Sequence, residues 1–258
     1  MATLVCFHAH PDDESISTAG VMARAADDGH RVVLVVATKG EHGEVEPGFL
    51  ADGETLAERR EVETRASAEV LGVARVEFLG YVDSGMIDTP ENDGPGSFWR
   101  ADVDEAAGRL AAILDEEAAD VLTVYDDHGG YGHPDHIQVH RVGVRAAELA
   151  ATPQVFESTM NREHMIEGIR QAQEEGLWPD DSPVTVPEEF GTPAEQITHA
   201  VDVQPWLDRK RSSMRAHASQ ISEQSVFLAM PDELFARAFG TEWFVDRSGG
   251  RGQWLLSG

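Results

Sequence analysis

The sequence predicts an α/β protein: a Rossmann-like, open, mostly parallel sheet with helices on both faces, extended at its C-terminal end by an α+β segment. Two observations carry this. Short apolar runs rich in β-branched residues alternate with longer amphipathic segments through the first two thirds of the 258 residues, an order that builds βαβ units. The apolar runs lack polar alternation, as strands covered on both faces do. A chain of this length, 41% hydrophobic and 26% charged, can bury a core without cross-links.

The elements follow in order. Leu4-Val5-Cys6-Phe7 is a buried strand, and the spacing of Ile16, Ala19, Val21, Met22 and Ala25 predicts a helix over 15–28, stopped by Gly29. Val32 to Val36 is the second strand. A charged helix over 54–71 ends at Gly72, and 75–79 is the third strand. The Gly-, Pro-, Asp- and Asn-rich stretch 84–99 reads as a long loop of the kind that covers sites. A helix over 103–117, a strand over 121–125 and a helix over 134–149 complete the core, the last with proline at its favoured first position. Beyond Ala150 the pattern weakens. It predicts a strand near Val155-Phe156, a helix over 162–175, a Pro-rich turn region over 178–193, a strand over 197–203, a helix over 205–219 and a short element at Trp243-Phe244-Val245. We read residues 1–258 as one domain, with 1–150 as the core and 151–258 as an extension that shapes the substrate pocket.

Asp and Glu number 47 against 20 Lys and Arg, a formal charge of −27. Nucleic acid and anionic membrane are therefore poor partners for such a surface. Only Lys39 and Lys210 are lysines; an acidic, lysine-poor chain fits either a salt-rich cytoplasm or codon bias. Cys6 is the single cysteine, so no disulfide forms within the chain. With no apolar leader and no membrane-length run, the expectation is a cytoplasmic protein. The oligomeric state is left open, a homo-oligomer included.

The chemistry concentrates in two segments. His8-Ala9-His10-Pro11-Asp12-Asp13-Glu14 follows the first strand, and Tyr131-Gly132-His133-Pro134-Asp135-His136 follows the fourth. Both contain His-Pro-Asp, and both fall at carboxyl ends of strands. In open α/β sheets ligands bind there, where the strand order reverses. Imidazoles and carboxylates without thiolate suit a hydrolytic zinc or iron(II) site, and three ligands leave one position open for chemistry. Each residue also has a plainer explanation. Asp13 or Ser15 would cap the first helix, and Asp135 would complement its own helix dipole. Two such clusters at matching strand ends are harder to explain that way.

These segments resemble the LmbE-like, or PIG-L-like, zinc-dependent N-deacetylases. The resemblance rests on the His-Pro-Asp-Asp-Glu run at 10–14, Gly40-Glu41-His42-Gly43-Glu44, Arg60 with Glu63, Leu71-Gly72, Asp83-Ser84-Gly85-Met86 and Gly129 to His136. It covers the first 150 residues well, returns briefly at His217-Ala218-Ser219-Gln220, and is poor over 152–203. It implies a zinc ion, or iron(II), on His10, Asp13 and His136. Asp12 would be the general base, His133 would face the reacting carbonyl, as a cation in one version, and Tyr131 would hydrogen-bond the developing oxyanion. Arg60 and Asp83 would hold polar substrate hydroxyls, with Glu44 and Glu41 in reach of the same crevice. For Arg60 the plain alternative is an ion pair with Glu61 or Glu63, and for Asp83 a turn before Gly85. His140 is expected to pack rather than ligate, and His217 either approaches the site or is structural. His8, His30 and His128 are given no role.

The implied reaction is hydrolysis of an N-acetyl amide on a small amino-sugar substrate, with Asp12 or His133 protonating the leaving amine. Gly130-Tyr131-Gly132-His133 is similar to the branch that includes mycothiol-pathway enzymes. One kind there deacetylates N-acetylglucosaminyl-inositol, another is an amidase of mycothiol S-conjugates, and Gly132 leans toward the first. Another metabolite bearing N-acetylglucosamine is a further alternative. A dinucleotide-binding module would need a Gly-rich first turn, where this chain has His-Pro-Asp-Asp-Glu. A non-catalytic metal-binding protein would not need Asp12, and a phosphoesterase would want two close metals and a cationic clamp.

Overall fold

The computed structural model describes residues 1–176, 186–187 and 190–256. Its centre is a seven-stranded sheet in the order β3-β2-β1-β4-β5-β7-β6. The strands are β1 (Thr3–His8), β2 (Arg31–Val36), β3 (Arg75–Phe78), β4 (Val121–Tyr125), β5 (Gln154–Thr159), β6 (His199–Asp202) and β7 (Thr241–Asp246). The first five run parallel. β7 lies antiparallel to β5, and β6 antiparallel to β7. The expected α+β extension therefore continues the same sheet.

Period-two geometry divides the central strands between two cores. Val5, Phe7, Val33, Val35, Leu122 and Val124 face one cluster, and Leu4, Cys6, Val32 and Val121 the other. The helices are α1 (Asp13–Ser17), α2 (Ala19–Asp27), α3 (Leu56–Leu71), α4 (Val103–Glu116), the single turn α5 (Gly129–Gly132), α6 (Pro134–Ala150), α7 (Arg162–Glu174), α8 (Leu207–Ala216) and α9 (Asp232–Phe239). α4 and α6 supply the first cluster, and α2 packs into the second. At Gly143 a β-carbon would lie 2.3 Å from Val124 Cγ1, so the absence of a side chain there lets α6 settle onto β4.

Several expectations are corrected in detail. The predicted helix over 15–28 is two helices, broken at Thr18 (φ −134°, ψ 7°). The break leaves Gly20 and Val21 N–H groups free to donate to the buried Glu242 carboxylate, at 2.8 Å each. Neither Asp13 nor Ser15 caps α1; that position belongs to Asp12. α3 starts two residues later than expected because Thr55 and Glu58 form a capping box. The long loop holds two 3₁₀ turns, Pro90–Asp93 and Phe98–Arg100, and Phe98 is buried. α9 was not anticipated. Most of the turn region expected over 178–193 lies outside the described residues. No helix among the described residues is long and apolar enough to cross a membrane.

Candidate active site

The strand order makes the site. From β1 the chain moves outward to β2 and β3, then returns to β4 on the other side of β1. The loops leaving the carboxyl ends of β1 and β4 consequently diverge above the sheet and open a crevice. The His10–Glu14 segment and the Gly129–His136 segment meet there, around a cleft of about 220 Å³ walled in part by His10, Asp12, Asp13, Asp83, Tyr131 and His133. A larger cleft of about 370 Å³, walled in part by Asp126, His128 and Glu157, contains none of them.

Asp12 holds a left-handed backbone (φ 92°). For a non-glycine residue this costs energy that its surroundings must supply. The Arg60 guanidinium donates to Pro11 O at 2.5 Å, Asp12 Oδ2 at 3.2 Å and Gly40 O at 2.8 Å. The Asp12 N–H donates to Glu14 Oε2 at 3.0 Å. Glu14 is fully buried and accepts from Ser67 and from His217 Nε2, at 2.5 and 2.6 Å. Burial pushes the Asp12 carboxyl up to about 6, with Arg60 opposing and Asp13 assisting.

Beside it, Asp13 Oδ2 lies 3.4 Å from His10 Nδ1 and 3.5 Å from His136 Nε2. Among the described residues His136 Nε2 is buried without a hydrogen bond, its contact with Asp13 being too long for one. On its other side His10 donates from Nε2 to Asp135 Oδ2 at 3.1 Å, and Ser84 N–H donates to the same oxygen at 2.9 Å. Burial lowers the His10 ring, but hydrogen bonds to Asp13, Asp135 and Asp83 outweigh it and hold it well above its ordinary value; with a cation bound, Nδ1 would give up its proton and ligate while Nε2–H stayed on the carboxylate, the usual arrangement behind a metal ligand. Burial raises the Asp13 carboxyl, but the neighbouring His136 and His10 rings outweigh it and hold it well below its ordinary value. Asp13 Oδ2 thus stands between His10 Nδ1 and His136 Nε2, an N,O,N set of the donor types that a divalent cation takes.

Two other groupings use His10. His10, His133 and His136 bring ring nitrogens within 4.8 Å of one another, as do His10, Asp83 and Asp135 with their own donor atoms. His133 caps α6, its Nδ1 accepting the Asp135 N–H at 3.1 Å. The proton of the neutral ring then sits on Nε2, which makes His133 a donor toward the cleft and a poor ligand. Burial pushes it down to about 4, aided by the charges of His10 and His136, which argues against a cationic His133. In the second grouping, backbone N–H groups of Ser84 and Gly85 occupy Asp135 Oδ2 and Asp83 Oδ1, as the His10 backbone N–H occupies Asp13 Oδ2 at 2.8 Å. Tyr131 stands at the mouth, 42% exposed, its ring centroid 5.0 Å from that of His136. It sits there because Gly129 turns the chain at φ +69°, where a β-carbon would be 2.7 Å from His136 Cβ.

A sequence model described as PIG-L: GlcNAc-PI de-N-acetylase matches residues 5–147. The chain belongs to the PIG-L family. Among its relatives, the 1D-myo-inositol 2-acetamido-2-deoxy-alpha-D-glucopyranoside deacetylase of Acidothermus cellulolyticus is 41% identical, over 94% of this chain and 88% of that one. A protein of the same name, numbered 1, from Catenulispora acidiphila is also 41% identical, over 93% and 82%. The N,N'-diacetylchitobiose deacetylase of Pyrococcus horikoshii has the same fold, with a TM-score of 0.60 at 21% identity over 96% and 84% of the two chains.

Within this PIG-L chain the remaining expected residues divide. Arg60 pairs with neither Glu61 nor Glu63, because its guanidinium turns inward to the Pro11–Asp12 turn. It still edges the cleft, but as a brace for Asp12 more than as an open hand for substrate. Asp83 makes the turn to Gly85, with Oδ1 accepting at 2.8 Å, and lines the cleft as well. Burial raises its carboxyl, and the hydrogen bond and charge of His10 outweigh that and hold it low. Glu44 stands exposed and off the cleft wall, since Gln220 Nε2 ties its carbonyl outward at 3.0 Å. Glu41 also lies off the cleft wall, where its carboxylate accepts the Asp83 N–H at 3.0 Å. His140 packs with Nδ1 on Tyr125 O at 3.0 Å. His217 acts on Asp12 through Glu14. The residue that the sequence reading passed over is Asp135; its place between His133 and His136 was the available signal.

Proposed function

We propose that this chain hydrolyses the N-acetyl amide of a small amino-sugar conjugate of the N-acetylglucosaminyl-inositol type and releases acetate. The carrying observation is one cleft that brings a braced, half-buried carboxylate, Asp12, beside His10 and Asp13, with His136 Nε2 3.5 Å from Asp13 on its buried side. The names of the 41% identical relatives supply the substrate class. A divalent ion, zinc or iron(II), held by His10, Asp13 and His136 would supply Lewis acidity, which lets water attack near neutral pH and polarises an amide carbonyl.

The chain's own groups do the rest. Asp12, which burial pushes up to about 6, takes a proton from the attacking water as its oxygen bonds to the carbonyl carbon. His133 Nε2–H and the Tyr131 hydroxyl face the oxygen on which negative charge develops, and one such donor is worth on the order of 3 kcal/mol. The C–N bond then breaks as the amine receives the proton from Asp12. His133 cannot deliver it, because its Nδ1 is bound to the Asp135 N–H and protonation of the ring is disfavoured. Asp83 would accept from sugar or cyclitol hydroxyls, and the edge of Arg60 would donate to them. We place the reaction in the cytoplasm, on the single unpaired cysteine.

The test is a comparison of two amides with the metal-loaded protein. Acetate release from N-acetylglucosaminyl-inositol is expected to exceed amide cleavage of a bimane-labelled mycothiol conjugate by at least about tenfold in kcat/KM, or roughly 1.4 kcal/mol in transition-state binding. Faster cleavage of the conjugate, or no acetate at all, would overturn the assignment.

A further inference from the structure

Behind the site lies a buried hydrogen-bond chain that the proposed reaction does not use directly. Thr18 Oγ1 is 2.8 Å from His8 Nε2, and His8 Nδ1 is 2.9 Å from the Tyr125 hydroxyl. That hydroxyl takes the Ala9 N–H at 3.4 Å and faces the Asp13 carboxylate. The ring of Tyr125 lies flat on His136, with centroids 4.2 Å apart and planes 7° apart. Thr18 is fully buried, His8 is 1% exposed and Tyr125 5%. One tyrosine thus touches two of the three groups placed around the cation, one by its hydroxyl and one by its face.

The direction of the chain follows from its last member. An ionised carboxylate only accepts, so the single tyrosine proton must point to Asp13. The hydroxyl oxygen then accepts from His8, which must carry its proton on Nδ1. His8 Nε2 is left as an acceptor and takes the proton of Thr18. The reverse orientation would set tyrosine lone pairs against the Asp13 carboxylate in a site without water's dielectric. We propose that Thr18, His8 and Tyr125 form a one-way hydrogen-bond chain that positions Asp13, with Tyr125 also bracing the His136 ring, and so sets how tightly this site retains its divalent ion. These are positioning residues, and the inference rests on the metal-site reading above.

The experiment has two arms. Nitrogen-15 NMR of the ring of His8 in the wild-type protein, metal-free and zinc-loaded, is expected to show the Nδ1–H tautomer in both; an Nε2–H tautomer would overturn the chain whatever the metal does. Zinc affinity is then measured by competition with a chelator for wild type, Tyr125→Phe and His136→Ala. The Tyr125→Phe protein keeps the stacked ring and loses one hydrogen bond, and its affinity is expected to fall about ten- to a hundredfold. Unchanged affinity in Tyr125→Phe, alongside loss in His136→Ala, would overturn this inference alone. Unchanged affinity in His136→Ala would overturn the metal-site reading itself.

Discussion

Replacing His136 by alanine is expected to lower zinc affinity by at least about a hundredfold and to abolish turnover at sub-stoichiometric metal, while leaving the metal-free protein folded. The first part follows from the donor set, since removing one of three protein ligands costs more than the ten- to hundredfold typical of an outer partner. The second follows from the unpaired nitrogen. In the metal-free chain His136 Nε2 is buried without a hydrogen bond among the described residues, meeting Asp13 only at 3.5 Å, so alanine removes a poorly satisfied buried group and this offsets part of the lost contact with the Tyr125 ring. Thermal unfolding separates the two effects. Zinc at about a hundredfold excess over Kd should stabilise the wild type by about 2.7 kcal/mol, or roughly 5–10 °C in a chain of this size. The variant should show no such rise. A zinc-dependent shift in His136→Ala equal to that of the wild type would remove His136 from the ligand set.

The second large effect belongs to Asp12. Asp12→Asn keeps the shape of the side chain and its contact with Arg60 but cannot accept the proton of the attacking water. Turnover is expected to fall by about 10²–10⁴, which is roughly 3–5 kcal/mol of transition-state stabilisation. Zinc content and KM should change little, because the base assists the chemical step and neither holds the ion nor binds the sugar. A variant that loses zinc together with activity would instead make Asp12 part of the metal site.

Much of this site is legible in the sequence for a physical reason. His10, Asp12, Asp13 and His136 sit in two short segments, each in the connection that follows a short, continuous apolar run. Parallel strands adjacent across a reversal of order put such segments face to face. What the sequence hides is long-range. The helix break at Thr18 depends on Glu242, more than 200 residues away, accepting two backbone N–H groups and pairing with buried Lys210. Arg60 reads as one more charge on a charged helix until the fold turns it inward to the Pro11–Asp12 turn. Tyr125 reads as the end of a strand, and nothing near it in the chain reveals that it touches both Asp13 and His136. α9 is different: Pro231 ahead of it, Asp232 and Glu233 in its first turn, and the Leu234, Phe235 and Phe239 spacing were all readable signals.

Anomalous diffraction from crystals of the zinc-loaded wild-type protein tests the central claim most directly. One peak is expected, bonded to His10 Nδ1, Asp13 and His136 Nε2, with His10 Nε2 still on Asp135. A peak on the opposite side of the His10 ring, held by Asp83 and Asp135, or one that takes His133 in place of Asp13, would contradict it.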